Sequence, residues 1–422
     1  MQRRTWLLLC TSLALAGCAV SPPPRGGTPS ALGRPAPTFG SPITAQPVQA
    51  PRGRVVTLLA PLTGPNAERG QSLVNGARLA LSTPDAPPLD VRDTAGTPEG
   101  ALAAADAAIA AGTGMIIGPL TAGETAAVAS RARPAGVPVL AFTSDAAQAQ
   151  PGVWPLGITA AQQMRRVVAA LAEQDRKRIA AILPESDFGR AMAAGLQQAA
   201  SQAGLPAPDI RFHDGSTGGI NRMVRNLAQY ETRRGPIEAQ RRAALARRDA
   251  EGRAKAAELV RTPIPPPPID ALVLADTGEA LGTIVSLLPY YDLDAPAVQV
   301  VGPALWSVAA GRIDAAMLGA WYAAPDPAAR TDFSSRYSQA TGAPAPGLAD
   351  FAYDAAAVAR VLDSEGRAGG GLTRPEGFAG VDGVFGLQPD GSVRRGLALF
   401  RLERGGPVMA EPAPDTLGAP GI

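Results

Sequence analysis

The sequence predicts an α/β protein with two lobes, each a parallel sheet covered by helices on both faces. From residue 55 onward, short β-branched runs alternate with amphipathic helical segments, as in βαβ units. The alternation pauses near 154–159 and then restarts, which predicts a second lobe of the same kind. A chain of 422 residues is long enough for two domains.

The first lobe opens with a strand over 55–59 and a helix over 68–81. The helix follows from the spacing of Leu73, Ala77 and Leu81, which share one face. The other elements predicted for this lobe are strands at 89–93, 115–117 and 138–142 and helices at 98–111 and 122–133.

The second lobe repeats the pattern and contains an interruption. The predicted helices are 164–174, 188–203, 219–230 and 280–288, and the predicted strands are 179–183, 210–213, 271–274 and 298–301. The interruption, 231–268, is rich in Arg and ends in four prolines. It fits either a solvated helical arm with i,i+4 ion pairs or an arm that binds a partner.

The N-terminal residues read as an export signal and a lipid-attachment site. Arg3 and Arg4 precede an apolar stretch that ends Leu-Ala-Gly-Cys18, which resembles a bacterial lipobox. We expect a signal peptide at 1–17, a lipidated Cys18, and a Pro-rich tether through residue 54. Because Ala19 follows the cysteine, the expected location is the periplasmic side of the cell envelope, at the outer membrane.

The composition excludes several classes of function. With 39 basic and 37 acidic side chains, the chain has no basic excess for binding nucleic acid. Cys10 leaves with the signal peptide, so Cys18 is the last cysteine and we expect no disulfide, metal or cofactor. We expect membrane contact through the lipid anchor alone. An enzyme is disfavoured, because the only histidine, His213, falls at a strand end and no catalytic motif is present.

Several segments, in order, resemble the type I periplasmic binding proteins, the leucine-binding-protein-like receptors of ABC importers. No single segment is decisive, but their order and spacing together are; they are 55–65, 70–77, 93–98, 116–120, 136–142, 378–385 and 389–395. The resemblance implies two Rossmann-like lobes joined by a three-strand hinge, with crossings near Thr159, Tyr322 and Glu376. We assign Asp93 and Asp382, which lie within these segments, to turns.

Within that family the chain is most similar to the penicillin-binding protein activator lipoproteins. The lipobox, the tether, the charged insertion before 269–274 and the segment 287–291 carry this similarity. It implies a regulator of a peptidoglycan synthase. One departure is that the best-known activators carry a helical-repeat domain ahead of this fold, whereas a tether stands here. The alternative is a receptor that delivers an amino acid or similar solute to an ABC permease.

The resemblance also divides the chain. Lobe 1 is expected at 55–158 plus 322–376. Lobe 2 is expected at 159–321 plus 377–405, with the charged helical insertion at 231–268, and a tail at 406–422.

Candidate ligand residues lie beyond the carboxyl ends of the strands, where open α/β sheets bind ligands. Thr121 opens a helix, so its hydroxyl and nearby N–H groups can hold a carboxylate, and Asp145 or Asp276 can meet an ammonium. The ligand would be an amino acid or a peptidoglycan fragment. The full candidate set is Leu62, Thr63, Asn66, Leu120, Thr121, Phe142, Thr143, Ser144 and Asp145 in the first lobe, and Asp187, Phe188, Asp276, Thr277 and Trp306 in the second.

Structural roles compete with this interpretation. Thr63, Thr121 and Ser144 fit equally well as helix N-caps and turn residues. Trp306 and Phe188 either stack on a ligand or cover the hinge. If the cleft binds, closure of the two lobes about the hinge is the expected mechanism.

Overall fold

The computed structural model describes residues 53–308, 314–365 and 371–417. The signal peptide at 1–17, Cys18 and nearly all of the tether lie outside the described residues. The described part of the tether ends at Arg54, whose guanidinium donates to the Asp363 carboxylate at 2.8 Å and to the backbone of Asp85 at 3.2 Å.

Five parallel strands form the first sheet, in the order β2-β1-β3-β4-β5. Their register places Val56 beside Leu89 and Met115, so the strand that contains Val56 is paired on both sides. The strands are β1 Val56–Ala60, β2 Leu89–Asp93, β3 Met115–Ile117, β4 Val139–Ala141 and β5 Val153–Pro155, and the helices between them are α1 Ala67–Ala80, α2 Pro98–Ala110 and α3 Ala122–Ala132.

A second sheet of seven strands follows, and the five strands that come first in the sequence are parallel to one another. The order of its strands is β14-β13-β10-β9-β8-β6-β7, with β13 and β14 antiparallel at one edge. The strands are β6 Ile179–Pro184, β7 Asp209–His213, β8 Ala271–Leu274, β9 Gln299–Gly302, β10 Trp321–Ala324, β13 Ala398–Glu403 and β14 Gly406–Glu411, and the helices that flank them are α4 Ala160–Glu173, α5 Asp187–Gln202, α6 Thr217–Leu227 and α9 Gly278–Leu287.

Two further helices and a short hairpin complete the first lobe. Helix α11, Gly347–Ser364, packs along α1, and α10, Thr331–Thr341, lies beside them. The hairpin of β11 Phe385–Leu387 and β12 Val393–Arg395 contributes Phe385, Leu387 and Val393 to the first hydrophobic core. The two parallel sheets confirm the predicted fold class.

Side-chain caps define where several helices begin. Thr121 caps α3 and Thr159 caps α4, each in a capping box that Glu124 and Gln162 complete. Because of the second cap, α4 begins at Ala160, before the start predicted at residue 164. The helix predicted at 219–230 is α6, which ends at Leu227, because Gln229 adopts a left-handed conformation before α7 begins at Tyr230.

The predicted helical arm is an antiparallel pair of helices. It consists of α7, Tyr230–Ala246, and α8, Ala250–Val260, which pack against each other. Few side chains are buried: Arg233 and Ala244 on α7, and Ala256 and Leu259 on α8. The insertion at 231–268 is therefore mostly solvated helix.

The chain passes between the two sheets three times, at positions that partly differ from those expected. The first crossing follows β5 and lies next to Thr159. The second follows β10, since Tyr322 itself pairs within the second sheet. The third lies at 396–397, well beyond Glu376, because Phe378, Val381 and the β11–β12 hairpin pack in the first core while Leu397 packs in the second.

The sequence-based lobe boundaries at 322 and 377 stay a prediction. The hydrophobic packing favours crossings at 325–330 and 396–397 instead. Residues 406–411, assigned from the sequence to a tail, form β14, which pairs with β13 from Glu403–Gly406 to Leu399–Glu411. Among the described residues, no helix is long and apolar enough to cross a membrane.

Candidate functional site

The loop after β1 is held by the last residue of β2. The Asp93 carboxylate accepts from the Thr63 hydroxyl at 2.6 Å and from the backbone N–H groups of Leu62 and Ala95, both at 2.8 Å. Burial opposes ionisation of Asp93, but these hydrogen bonds outweigh it and lower its pKa. Asp93 thus fixes the turn, and the Thr63 hydroxyl already has an acceptor. Asn66 precedes α1, and its side-chain oxygen accepts a long bond, 3.4 Å, from Arg69.

The Thr121 hydroxyl is also engaged within its own helix. It donates to the Glu124 carboxylate at 2.7 Å, and that carboxylate accepts the Thr121 N–H at 3.0 Å. Glu124 is fully buried and also accepts from the Thr94 hydroxyl at 2.6 Å. A negative side chain therefore occupies the helix N-terminus that was expected to hold a ligand carboxylate. Leu120, just before it, is half-buried.

The segment after β4 forms a local turn. Phe142 is buried against Gly118, and the buried Thr143 hydroxyl accepts the Asp145 N–H at 3.1 Å. The Asp145 carboxylate caps a short 3-10 turn by accepting from the Ala147 N–H at 3.0 Å. Asp145 and its neighbour Ser144 are exposed.

The corresponding position in the second lobe holds a buried polar pair. Asp276, after β8, lies 3.1 Å from the Nε2 atom of His213, at the end of β7, and both side chains are buried. The indole N–H of Trp306 donates to the Asp276 carbonyl at 3.1 Å, and its ring lies flat against Gly302. The Asp276 carboxylate is thus committed to His213, and Trp306 belongs to the core.

The other candidates in the second lobe lie at helix starts. Asp187 begins α5, is fully exposed and pairs with Arg190 at 2.6 Å. Phe188 is half-buried against the α4–α5 core. Thr277 is exposed at the N-cap of α9 and makes no capping bond with its side chain. Among the described residues, no hydrogen bond joins a candidate of the first lobe to one of the second.

The largest cluster of buried charge lies near the crossings and was not singled out from the sequence. Three carboxylates and two guanidinium groups meet there: Asp350, Asp354, Asp382, Arg330 and Arg395. The Arg330 guanidinium donates two hydrogen bonds, of 2.5 and 2.9 Å, to the Asp350 carboxylate. The Asp354 carboxylate accepts the Val381 N–H at 2.8 Å, but its Oδ2 atom has no hydrogen-bond partner among the described residues.

Arg395 joins this cluster to the first crossing. Its guanidinium donates to the Leu156 carbonyl at 3.0 Å, lies 5.0 Å from the Phe385 ring centroid, and approaches the Asp354 carboxylate only to 3.9 Å. Burial raises the pKa of Asp354 to about 7, against the opposing charge of Arg395. Burial likewise raises the pKa of Asp350 to about 6, although Arg330 opposes it, and raises the pKa of Asp382. The cluster therefore combines three carboxyl groups of raised pKa with two guanidinium groups.

A small cavity lies at the opposite edge of the first sheet from the candidate loops. It is lined by residues at the start of β1 and β3, including Val56, Met115 and Leu362, and its volume of 10 Å³ suffices for about one water. Among the described residues, no group of three His, Cys, Asp or Glu side chains is placed to hold a metal ion. The cavity is too small to hold an organic ligand.

Residues 55–406 match the family model described as periplasmic binding protein. The chain belongs to the periplasmic binding protein family. An uncharacterised protein of Rickettsia prowazekii is 22% identical over 174 residues, which is 41% of this chain and 47% of that protein. The match therefore spans about half the length of that relative.

Solved structures of similar fold fall into two groups. The C-domain of LpoA (YraM) from Haemophilus influenzae, a regulator of PBP1A, has a TM-score of 0.61 at 16% identity, covering 84% of this chain and 99% of that one. Full-length LpoA from the same organism gives 0.60 at 17% identity, covering 86% of this chain and 59% of that one. A putative branched-chain amino acid ABC transporter from Rhodospirillum rubrum gives 0.60 at 18%, covering 85% and 99%. At such identities the likeness shows the fold.

In this member of the periplasmic binding protein family, Thr63, Thr121 and Asp276 at the carboxyl ends of the strands are engaged in internal hydrogen bonds. Sequence reasoning missed Glu124 as the occupant of the α3 N-terminus and the pairing of His213 with Asp276. A signal existed for each: Glu124 completes a Thr-x-x-Glu capping box, and β7 and β8 both flank β6, so their carboxyl ends lie close together.

Proposed function

We propose that this protein is a periplasm-facing lipoprotein that regulates a peptidoglycan synthase. One observation carries the proposal: the polar groups best suited to hold a zwitterionic ligand are already paired with other side chains of the protein. Thr121 is bound to Glu124 and Asp276 to His213. A receptor of amino acids needs such groups free, because each buried polar pair that a ligand displaces costs binding energy. A regulator that binds a protein partner has no such need.

Two further features support the proposal. The similar folds include the C-domain of LpoA, a regulator of PBP1A. The sequence also offers a lipobox at Cys18 and a Pro-rich tether, which would let a membrane-anchored module reach a partner across the envelope. Lipid attachment and an outer-membrane location are part of this proposal.

The first experiment is a thermal-shift screen of the body from Arg52 onward against amino acids and peptidoglycan fragments at about 1 mM. A ligand of micromolar affinity would stabilise the folded state by roughly 4 kcal/mol, which is a large shift. We expect no shift with any compound. A large shift that disappears on Thr121→Ala would refute the proposal and support a receptor.

The second experiment measures activity. Each purified peptidoglycan synthase of the same cell is assayed for glycan polymerisation and peptide cross-linking, with and without the protein. We expect at least one synthase to be stimulated at a saturating, stoichiometric concentration. Full occupancy of every synthase partner without any change in rate would contradict a regulatory role.

The second candidate function is a substrate-binding receptor of an ABC importer. The exposure of Ser144 and of Thr277, whose hydroxyl makes no capping bond, favours it, because both remain open to a ligand. Replacing both hydroxyls with Ser144→Ala and Thr277→Ala should leave synthase stimulation intact under the proposed function. Under the receptor alternative, the same variant should lose ligand-induced thermal stabilisation.

A further inference from the structure

The helical arm, defined as residues 230–262, segregates the charge of the protein. It carries nine basic and five acidic side chains, a net charge of +4. The remainder of 53–422 carries 25 basic and 32 acidic side chains, a net charge of −7. A positive surface on an otherwise negative body steers the approach of an acidic partner to the arm.

The arm is held rigidly at its base. The buried Arg233 guanidinium donates to the carbonyls of Pro265 at 2.9 Å, Ala228 at 3.1 Å and Tyr291 at 3.3 Å, and to the Asp292 carboxylate at 3.2 Å. A surface fixed in this way loses little conformational entropy when a partner binds. Arg233 is therefore a positioning residue for the arm.

One flank of α7 continues into an aromatic patch at the base of the arm. Tyr230, Arg234, Glu238 and Arg242 follow one another at i,i+4 spacing, so they share a face of the helix. Tyr230 stacks on Tyr290 with ring centroids 5.8 Å apart, and the Arg234 guanidinium lies 5.9 Å from the Tyr230 ring.

This flank is accessible and carries uncompensated charge. The Tyr290 side chain is 61% exposed, and Leu245, farther along α7, is 47% exposed. Glu238 pairs with Arg241 at 3.1 Å, which removes the only acid of the flank. Neither Arg234 nor Arg242 forms an ion pair with another described residue. Tyr and Arg are the residue types most enriched at the centres of protein–protein interfaces.

We infer that this flank docks an acidic protein surface. The flank is formed by Tyr230, Arg234, Arg242, Leu245 and Tyr290. The inference rests on the proposed function, and it places the acidic surface on the synthase. A lipid surface fits less well, because an interfacial helix needs a broad apolar face, and Leu245 and Val260 are the large exposed apolar side chains of the arm. Helix α7 has 17 residues, so it is about 25 Å long. One face of a single helix of this length presents less area than the roughly 800 Å² that each partner of a stable dimer buries. Its size suits reversible binding to a partner.

The test measures binding of the full-length protein in detergent to each purified synthase, by biolayer interferometry at low and high salt. Two variants probe the flank: Arg234→Gln with Arg242→Gln, and Tyr290→Ala. A matched control, Arg78→Gln with Arg404→Gln, removes two exposed charges elsewhere. Melting temperatures confirm that each variant is folded.

We expect the unmodified protein to bind one synthase, with an affinity that falls as salt rises. Each flank variant should weaken binding at least tenfold, and the control should change it less than twofold. If the synthase binds but the flank variants match the control, the docking surface is wrong and the proposed function stands. If no synthase binds the unmodified protein, the proposed function is wrong, and so is the assignment of a synthase as the partner of the flank.

Two additional measurements test whether a second copy of the protein, or a membrane, binds the flank instead of an acidic protein. Light scattering that shows a dimer of the unmodified protein and a monomer of the flank variants would assign the flank to a second copy. Sedimentation with phosphatidylglycerol vesicles that depends on Arg234 and Arg242 would assign it to a membrane. Either result would overturn the docking of an acidic protein.

Discussion

Replacing Asp354 with Asn should remove most of the pH dependence of stability between pH 5 and pH 8. The Asp354 carboxyl is 1% exposed and faces Asp350, Asp382 and Arg395. Its pKa is about 7 in the folded protein and about 3.8 in an unfolded chain. The folded state therefore favours the protonated form. The resulting stabilisation is fully present below pH 3.8 and is lost as the pH rises through about 7.

The size of the effect follows from this difference. Each pKa unit corresponds to about 1.4 kcal/mol, so lowering the pH from 8 to 5 should add roughly 2.5 kcal/mol to the free energy of unfolding. The amide of Asn keeps an acceptor for the Val381 N–H but has no charge to titrate. The substitution also leaves two carboxylates and two guanidinium groups in the cluster, so their charges balance. The remaining carboxyls, Asp350 and Asp382, should therefore titrate at lower pH.

The assay is urea unfolding, followed by tryptophan fluorescence at half-unit steps from pH 5 to pH 8. The quantity that matters is the stability difference between the unmodified protein and Asp354→Asn at each pH. We expect it to change by roughly 2.5 kcal/mol across the range. The same amide replacement at the exposed Asp415 should leave the slope unchanged. A difference that stays constant from pH 5 to pH 8 would refute the assignment of a raised pKa to Asp354.

Three other substitutions test the packing. Arg233→Met should destabilise the protein by about 2 kcal/mol, since it leaves backbone carbonyls unpaired, and should speed hydrogen exchange in α7. Gly302→Ala should cost about 2 kcal/mol in urea unfolding, because the added Cβ would lie 2.3 Å from the Trp306 ring. Trp154→Phe should lower the free energy of unfolding by about 1 kcal/mol through loss of the 2.8 Å indole bond to the Gln388 carbonyl.

Matched controls exist for two of these changes. Arg78→Met alters an exposed arginine and should leave exchange in α7 unchanged. Gly282→Ala adds a methyl group to an exposed position of α9 with nothing within 4 Å, so it should stabilise the protein by about 0.5 to 1 kcal/mol. Equal effects of Gly302→Ala and Gly282→Ala would contradict the contact assigned to Trp306.

Much of the fold follows from local patterns, and the exceptions have physical causes. The strands 115–117 and 271–274 agree with the sequence because they are short apolar runs bounded by turns, and 89–93 agrees because it alternates apolar and charged residues. Strand β5 was missed because it contains Pro155, which a strand tolerates at the sheet edge, where β5 lies. The sequence places the third crossing near Glu376, whereas the packing of the β11–β12 hairpin in the first core favours 396–397, because sequence does not reveal which core that hairpin fills.

The candidate site was harder to predict, because burial and pairing are tertiary properties. Asp350 and Asp354 are four residues apart on α11, a spacing that in sequence looks like a solvated helix face. Their burial depends on Arg330, Arg395 and the turn at 380–383, which are distant in the chain. The roles of Thr63 and Thr121 as turn and cap residues were weighed as one of two options from the sequence. The structure places each in an internal hydrogen bond.

Strand β14 has a practical consequence for anyone who expresses part of this chain. The family match stops at residue 406, where β14 begins. A recombinant fragment that ended there would leave the outer edge of β13 without its hydrogen-bonding neighbour, and such an open edge recruits other chains into aggregates. It would also lose the Glu411 carboxylate that Arg166 binds at 2.5 Å. A fragment intended to stay monomeric in solution should extend through Leu417, whose carbonyl accepts a hydrogen bond from Arg394.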